Sequence, residues 1–104
     1  MEKGIIINKI SQLTNFAFPN SEVFLFGSQV RGDAKKGSDW DFLILLNETP
    51  VTFDTENQLI NELYEIELET GEVISPLIYS KADWYSNHTI TPLFTNIQKD
   101  GIRL

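Results

Sequence analysis

The stretch "FGSQVRGDAKKGSDWDFLILL", Phe26 to Leu46, decides how the chain is read. Its last five residues, "FLILL", are apolar without alternation, the pattern of a strand covered on both faces. The strand is predicted over Trp40 to Leu46. Residues two apart on a strand share a face, so Asp39 and Asp41 converge while Trp40 and Phe42 turn the other way. At its other end the stretch continues a short β-prone run, Val23 to Phe26, which is predicted as the preceding strand and stops at Gly27. A short helix is expected from Ser28 to about Gly32, then a loop from Asp33 to Ser38 carrying Lys35, Lys36 and Gly37.

The flanks complete an α+β pattern. Ile6, Ile10, Leu13 and Phe16 recur at helical spacing and predict a helix over Lys3 to Ala17. Pro19-Asn20-Ser21 breaks it. After the turn-rich "NETPVTFD", Asp54 is the expected N-cap of a helix running to about Thr70. Leu59, Ile60, Leu63 and Ile66 form its expected buried stripe and Gly71 its stop. A hairpin turning at Thr70-Gly71 is the competing reading. The helix is preferred because strand pairing would line Glu65, Glu67 and Glu69 along one face. A third strand follows from Val73 to Tyr79, placed at an edge by Pro76. Ser80 with Asp83 reads as a capping box for a short helix holding Trp84 and Tyr85. Thr91-Pro92 opens a last helix, with Gly101 beyond its end. The result is a mixed sheet of three to four strands with helices packed against it.

Composition bounds the function. A chain of 104 residues with 41% hydrophobic and 12% aromatic residues makes one domain, residues 1–104, with one core. There is no cysteine, which removes disulfides and thiolate zinc sites and suits a reducing compartment, the cytoplasm. The start "MEKGIIINKI" has no signal-peptide pattern, and no apolar run approaches the roughly 20 residues of a membrane helix. Fifteen acidic against eight basic residues give a net charge of -7, which argues against an extended nucleic-acid surface. Arg31, Lys35 and Lys36 form a local positive patch beside the two carboxylates instead.

That neighbourhood suits a phosphate–metal ligand. Two carboxylates on one face repel, and a divalent cation removes the cost; magnesium takes one or two carboxylates plus waters and phosphate oxygens. Gly27 allows close approach to the backbone, N–H groups at a helix start attract anions, and the Ser28 hydroxyl can donate once more. Phosphate at one end and metal at the other describe a nucleoside triphosphate. Other phosphate motifs fail. Gly27 and Gly32 have the spacing of a Walker A loop, but Asp33-Ala34 stands where Lys-Ser/Thr is needed. An EF-hand requires further oxygen ligands after Asp41, where "FLILL" stands.

Gly27-Ser28, then Gly32, then Ser38-Asp39-x-Asp41 before an apolar strand resembles the DNA polymerase beta-type nucleotidyltransferase superfamily. The short chain resembles its minimal nucleotidyltransferase (MNT) branch. The resemblance is specific over Val23 to Leu46 and diffuse elsewhere. It implies a nucleotidyltransferase-like fold and Mg2+-dependent transfer of a nucleotidyl group from a triphosphate such as ATP. It further implies that Ser28 binds phosphate and that Asp39 and Asp41 hold metal at the catalytic centre. Gly27, by close backbone approach, and Arg31, on the helix after Ser28, are read as joining the phosphate site. Active members carry a third carboxylate on the next core strand; here the count falls on Ser75, followed by Pro76. Glu72 is the nearest acid, expected on the opposite face. Binding of a nucleotide–metal complex is therefore better supported than turnover, and a non-enzymatic, antitoxin-like module is the second reading. Minimal members resembling this chain are often paired with an all-helical HEPN protein, so such a partner, or a second copy of the chain, is the expected assembly.

The bland readings stand beside these. On spacing alone Asp39 and Asp41 read as loop and strand caps; Gly27-Ser28 and Gly32 in register reverse that. Lys35 and Lys36 read as solvated charges, and Ser38 as a loop-fixing residue. His88 reads as exposed and uninvolved, while Trp84, Tyr85 and Phe94 read as core or partner-facing aromatics.

Overall fold

The computed structural model describes residues 3–104; Met1 and Glu2, part of the stretch read above for a leader, lie outside the described residues. The chain runs α1 (Lys3–Ala17), β1 (Glu22–Phe26), α2 (Ser28–Arg31), β2 (Trp40–Leu46), α3 (Phe53–Thr70), β3 (Ile74–Ser80), α4 (Lys81–Asn87), α5 (Pro92–Asp100) and β4 (Ile102–Arg103). The strands form one mixed sheet in the order β3-β2-β1-β4. β2 pairs antiparallel with β1 and parallel with β3, and β4 pairs antiparallel with the far side of β1.

Alternation along β2 sorts the core into two layers. Trp40, Phe42, Ile44 and Leu46 pack with Ile6 and Ile10 of α1 and with Leu59, Leu63 and Ile66 of α3. Leu43 and Leu45 face the other way, onto Trp84 of α4 and Ile97 of α5. Both faces of β2 are covered, which is why its apolar run does not alternate. Burying a side chain such as Phe42 completely contributes about 1.5–3 kcal/mol, so this strand anchors the whole sheet.

β3 lies at an edge, where Pro76 costs no ladder bond. Val73 accepts from the Trp40 N–H, so odd-numbered residues of this segment face β2 and even-numbered ones face outward. The outward Ile74 N–H is taken by Glu67 at 3.0 Å, and Pro76 has no N–H to offer. That edge is thereby blunted against pairing with another chain.

Several local expectations are corrected. Phe16 does not join the α1 stripe; it is 92% exposed, and Thr14 takes the buried position with its hydroxyl donating to the Ile10 carbonyl. Ile60 also lies outside the core, because the sheet-facing side of α3 is narrow and is filled by Leu59, Leu63 and Ile66. The N-cap of α3 is Thr52, not Asp54: the Thr52 side chain accepts from the Thr55 N–H, leaving Asp54 in the first turn, where its charge favours the helix dipole. Gly71 ends α3 with φ of 73°, a left-handed cap that excludes the hairpin alternative. The Ser80 hydroxyl caps α4, but the Asp83 carboxylate turns to Asn87 and His88 rather than closing the box. β4, unassigned by the sequence, is completed by the Leu104 N–H donating to the Val23 carbonyl. Among the described residues no helix is long and apolar enough to cross a membrane.

Candidate functional site

The antiparallel register sets Phe26 opposite Asp41, and the parallel register sets Asp41 opposite Ser75. Asp41 therefore stands in the middle of three strands, flanked by the β1–α2 turn on one side and by β3 on the other. By alternation Asp39 and Asp41 share the face of Leu43 and Leu45, toward α4 and α5. Ser75 lies on the same face, and its hydroxyl donates to Asp39 Oδ2 at 2.8 Å.

Gly27 shapes the other wall. Its φ of 80° is left-handed, and a Cβ there would overlap the Asp41 carboxylate, coming within 3.2 Å of Asp41 Cγ as well. Only glycine lets the turn and the carboxylate occupy adjacent space. The ladder of α2 begins with the Val30 and Arg31 N–H groups, both donating to the Gly27 carbonyl, so it does not use the Ser28 N–H. The Ser28 hydroxyl makes no hydrogen bond to a described residue and is half-buried beside this turn.

A cleft of about 400 Å³ opens at this point, lined by Phe26, Gly27, Arg31 and Asp41 from one side and by Leu93, Asn96, Ile97 and Asp100 of α5 from the other. Its size falls in the range of small-molecule sites. Partial burial pushes the Asp41 carboxyl above the usual carboxylate range; the Asp39 charge adds to this and the Arg31 guanidinium opposes it. Such a carboxylate is poised to gain from a cation.

The predicted patch of three bases divides. Arg31 lines the cleft, where it also approaches Asp33 at 3.5 Å in an exposed pair worth little. Lys35 and Lys36 line a separate groove with Gln29, Ser38, Trp40 and Glu72. Ser38 fixes that loop by accepting from the Lys35 N–H at 2.8 Å. Glu72 accepts from the Trp40 indole at 3.2 Å, on the side of β2 away from Asp41, and so does not stand in for a third acid. His88 is not exposed: it stacks on Trp84 at 5.3 Å and meets Asp83 at 3.0 Å, a structural role under α4. A larger cleft of about 520 Å³ lies at the far ends of β2 and β3, between Pro50, Glu56, Tyr79 and Asp83, and contains none of the Gly-Ser or Asp-x-Asp residues.

Sequence reasoning did not find Asn96 and Asp100. Spaced with Leu93 and Ile97 at three and four residues, they stand on the side of α5 that borders the cleft, where both remain exposed.

The donors on this face are all oxygen: two carboxylates and one hydroxyl. Among the described residues there is no cluster of three or more His, Cys, Asp or Glu side chains able to hold a metal. Two carboxylates with open positions match a hard cation that keeps waters and substrate oxygens, as magnesium does.

A family model described as a nucleotidyltransferase domain matches residues 7–91. The chain belongs to that family. The matched segment runs from α1 to the residue before α5, so the nucleotidyltransferase core holds the Gly-Ser turn and the acid pair, whereas α5 and β4 lie beyond it. Over 59 residues the domain is 42% identical to a Methanocaldococcus jannaschii protein named "Putative protein adenylyltransferase MJ0141". That alignment spans 57% of this chain and 59% of the relative's length. A chain from the crystal structure of a toxin–antitoxin with AMP-PNP superposes with a TM-score of 0.66, covering 92% of this domain and 69% of that chain. At 18% identity this likeness establishes the nucleotidyltransferase-like fold.

The contact between Gly27 and Asp41 gives a direct test. Gly27→Ala should force the carboxylate aside and strain the turn, at a cost of about 1–3 kcal/mol. Affinity for a ligand seated in this cleft should fall at least tenfold while the far-UV spectrum of the folded protein is retained. Calorimetric titration beside thermal denaturation measures both.

Proposed function

We propose that this nucleotidyltransferase domain, residues 1–104 acting as one unit, binds a nucleoside triphosphate with Mg2+ and transfers the nucleoside monophosphate to a hydroxyl of a protein or small molecule. Asp39 and Asp41 would hold the metal, and Gly27, Ser28 and Arg31 would receive phosphate oxygens. The observation that carries this reading is the register Phe26↔Asp41, which sets Asp41 against the glycine turn at the mouth of one cleft. Asp39 shares its strand face, bonded by Ser75, but is outside that cleft's lining. ATP is the favoured donor: the archaeal relative is named as a protein adenylyltransferase, and the structural neighbour was crystallised with AMP-PNP. On this reading the domain works in the cytoplasm, where ATP is supplied.

In the transfer, the acceptor oxygen forms a bond to the α-phosphorus as the bond from that phosphorus to the oxygen bridging toward the β-phosphorus breaks. Pyrophosphate leaves with that bond's electron pair, and the acceptor's proton passes to solvent. A metal held by Asp39 and Asp41 would supply charge stabilisation for the attacking and leaving oxygens. Arg31 orients the triphosphate, and the wall of α5 excludes water from one side of the cleft.

Ser75 supports a second reading. It faces Asp41 where active relatives carry their third acid, so no carboxylate from β3 takes the acceptor's proton. A catalytically impaired, antitoxin-like module that keeps nucleotide binding is consistent with this, its partner a helical HEPN-type protein or a second copy of the chain. Incubation with labelled ATP and Mg2+, with and without the protein encoded next door, followed by intact mass, separates the two. Addition of AMP to either protein supports the enzyme; a tight complex without labelling supports the module.

A further inference from the structure

The cleft beside Asp41 is chemically two-ended. Gly27 and Arg31 line one side; Asn96 and Asp100 line the other, at adjacent turns of α5, with Leu93, Ile97 and Phe26 supplying apolar surface. Asn96 and Asp100 are solvent-exposed at the rim of the cavity, and neither side chain is committed to a hydrogen bond with a described residue, so both are free to meet a ligand there. Asp100 is also the last residue of its helix, where a negative charge opposes the macrodipole. Helix stability therefore does not account for it.

Resting on the nucleotide reading above, we propose that α5 is the sugar-reading wall of the site: Asp100 and Asn96 hydrogen-bond the ribose hydroxyls of a bound ribonucleoside triphosphate, and Phe26, Leu93 and Ile97 pack against the nucleoside. Charge decides the orientation. A carboxylate repels a polyphosphate, so the triphosphate belongs at the Gly27–Arg31 end and the uncharged sugar at the Asp100 end. An ionised carboxylate is purely an acceptor, and a sugar diol offers the two O–H donors it needs. A pocket that hydrogen-bonds a hydroxyl discriminates strongly against the analogue lacking it, because its own polar groups are left unpaired. The domain thus selects ribonucleotides over deoxyribonucleotides. The feature belongs to this chain's C-terminal helix, outside the matched family core.

The test is titration calorimetry of the full chain in Mg2+ with ATP, 2′-deoxy-ATP, 2′,3′-dideoxy-ATP and tripolyphosphate. Wild type should bind ATP about tenfold or more tighter than the dideoxy analogue. Asp100→Ala should erase that preference by weakening ATP alone, leaving tripolyphosphate binding unchanged or slightly tighter, since a negative charge has been removed. Asn96→Ala should reduce the preference in the same direction by a smaller factor. Equal affinity of wild type for ATP and its dideoxy analogue overturns the inference and leaves the nucleotide site standing. So does an Asp100→Ala variant that keeps the full preference. Failure of both ATP and tripolyphosphate to bind wild type removes the nucleotide reading and this inference with it.

Discussion

Asp41→Asn should abolish Mg2+-dependent nucleotide binding while making the ligand-free protein more heat-stable. The two effects share one cause. Asp41 is held partly buried against Gly27 and close to the Asp39 charge, and both raise its pKa above 3.8, its ordinary value. A carboxyl whose pKa is raised on folding binds more protons in the folded than in the unfolded chain between the two values. Stability is therefore lost as pH rises through that window, and the loss persists at neutral pH. The isosteric amide removes the charge and the loss, so Tm at neutral pH should rise; below the ordinary aspartate pKa the two proteins should match. Ligand binding has the opposite sign. The cation needs the ionised form, so wild-type affinity for Mg2+–ATP should weaken on acidification at a pH above that of an unperturbed aspartate. Affinity in the variant should drop about 100-fold or more, beyond the 10–100-fold typical of groups that only support a metal ligand. An Asp41→Asn protein that is less stable and binds Mg2+–ATP normally would identify the residue as an ordinary strand cap.

Ser75→Asp should increase AMP transfer, by about 10²-fold or more if the missing acid is what limits turnover. Ser75 already lies opposite Asp41 in the parallel register and already bonds Asp39 at 2.8 Å, so the new carboxylate would enter the acid face without moving the backbone. Without metal it should destabilise the protein, three acids repelling where two stood; with Mg2+ and ATP that penalty should reverse. The measurement is the single-turnover rate of AMP incorporation into protein alongside Tm at several Mg2+ concentrations. No gain in rate, with the metal-dependent stabilisation present, would mean that the domain binds nucleotide for a purpose other than transfer.

The sheet was legible where one physical signal dominated. β2 could be delimited because a strand covered on both faces has no reason to alternate, and β3 could be put at an edge because Pro76 has no donor for a ladder. The shared face of Asp39 and Asp41, the turn at Gly27 beside them and the place of Ser75 opposite Asp41 were legible, since a two-residue period and a strand register convert spacing into position. The misreadings arose where periodicity was matched but tertiary context decided. Phe16 and Ile60 keep helical spacing yet face away from the sheet, and Thr14, polar by type, is buried because its hydroxyl bonds within its own helix. His88 looked exposed in a polar run, but α4 folds it onto Trp84. The α5 wall was missed for a different reason: no local signal in "PLFTNIQKD" says that its inner face will close a cleft built some 60 residues earlier.

The central claim is that Asp39 and Asp41 share a cation which also touches the phosphates of a nucleotide seated against Gly27. Its most direct test is a crystal of the wild-type chain grown with Mn2+ and a non-hydrolysable ATP analogue, with anomalous diffraction recorded at the manganese edge. The account predicts a peak bridging carboxylate oxygens of both aspartates and a phosphate oxygen, with the triphosphate over the β1–α2 turn. A manganese held by phosphates alone, with either carboxylate turned away, or a nucleotide bound outside this cleft, would contradict it.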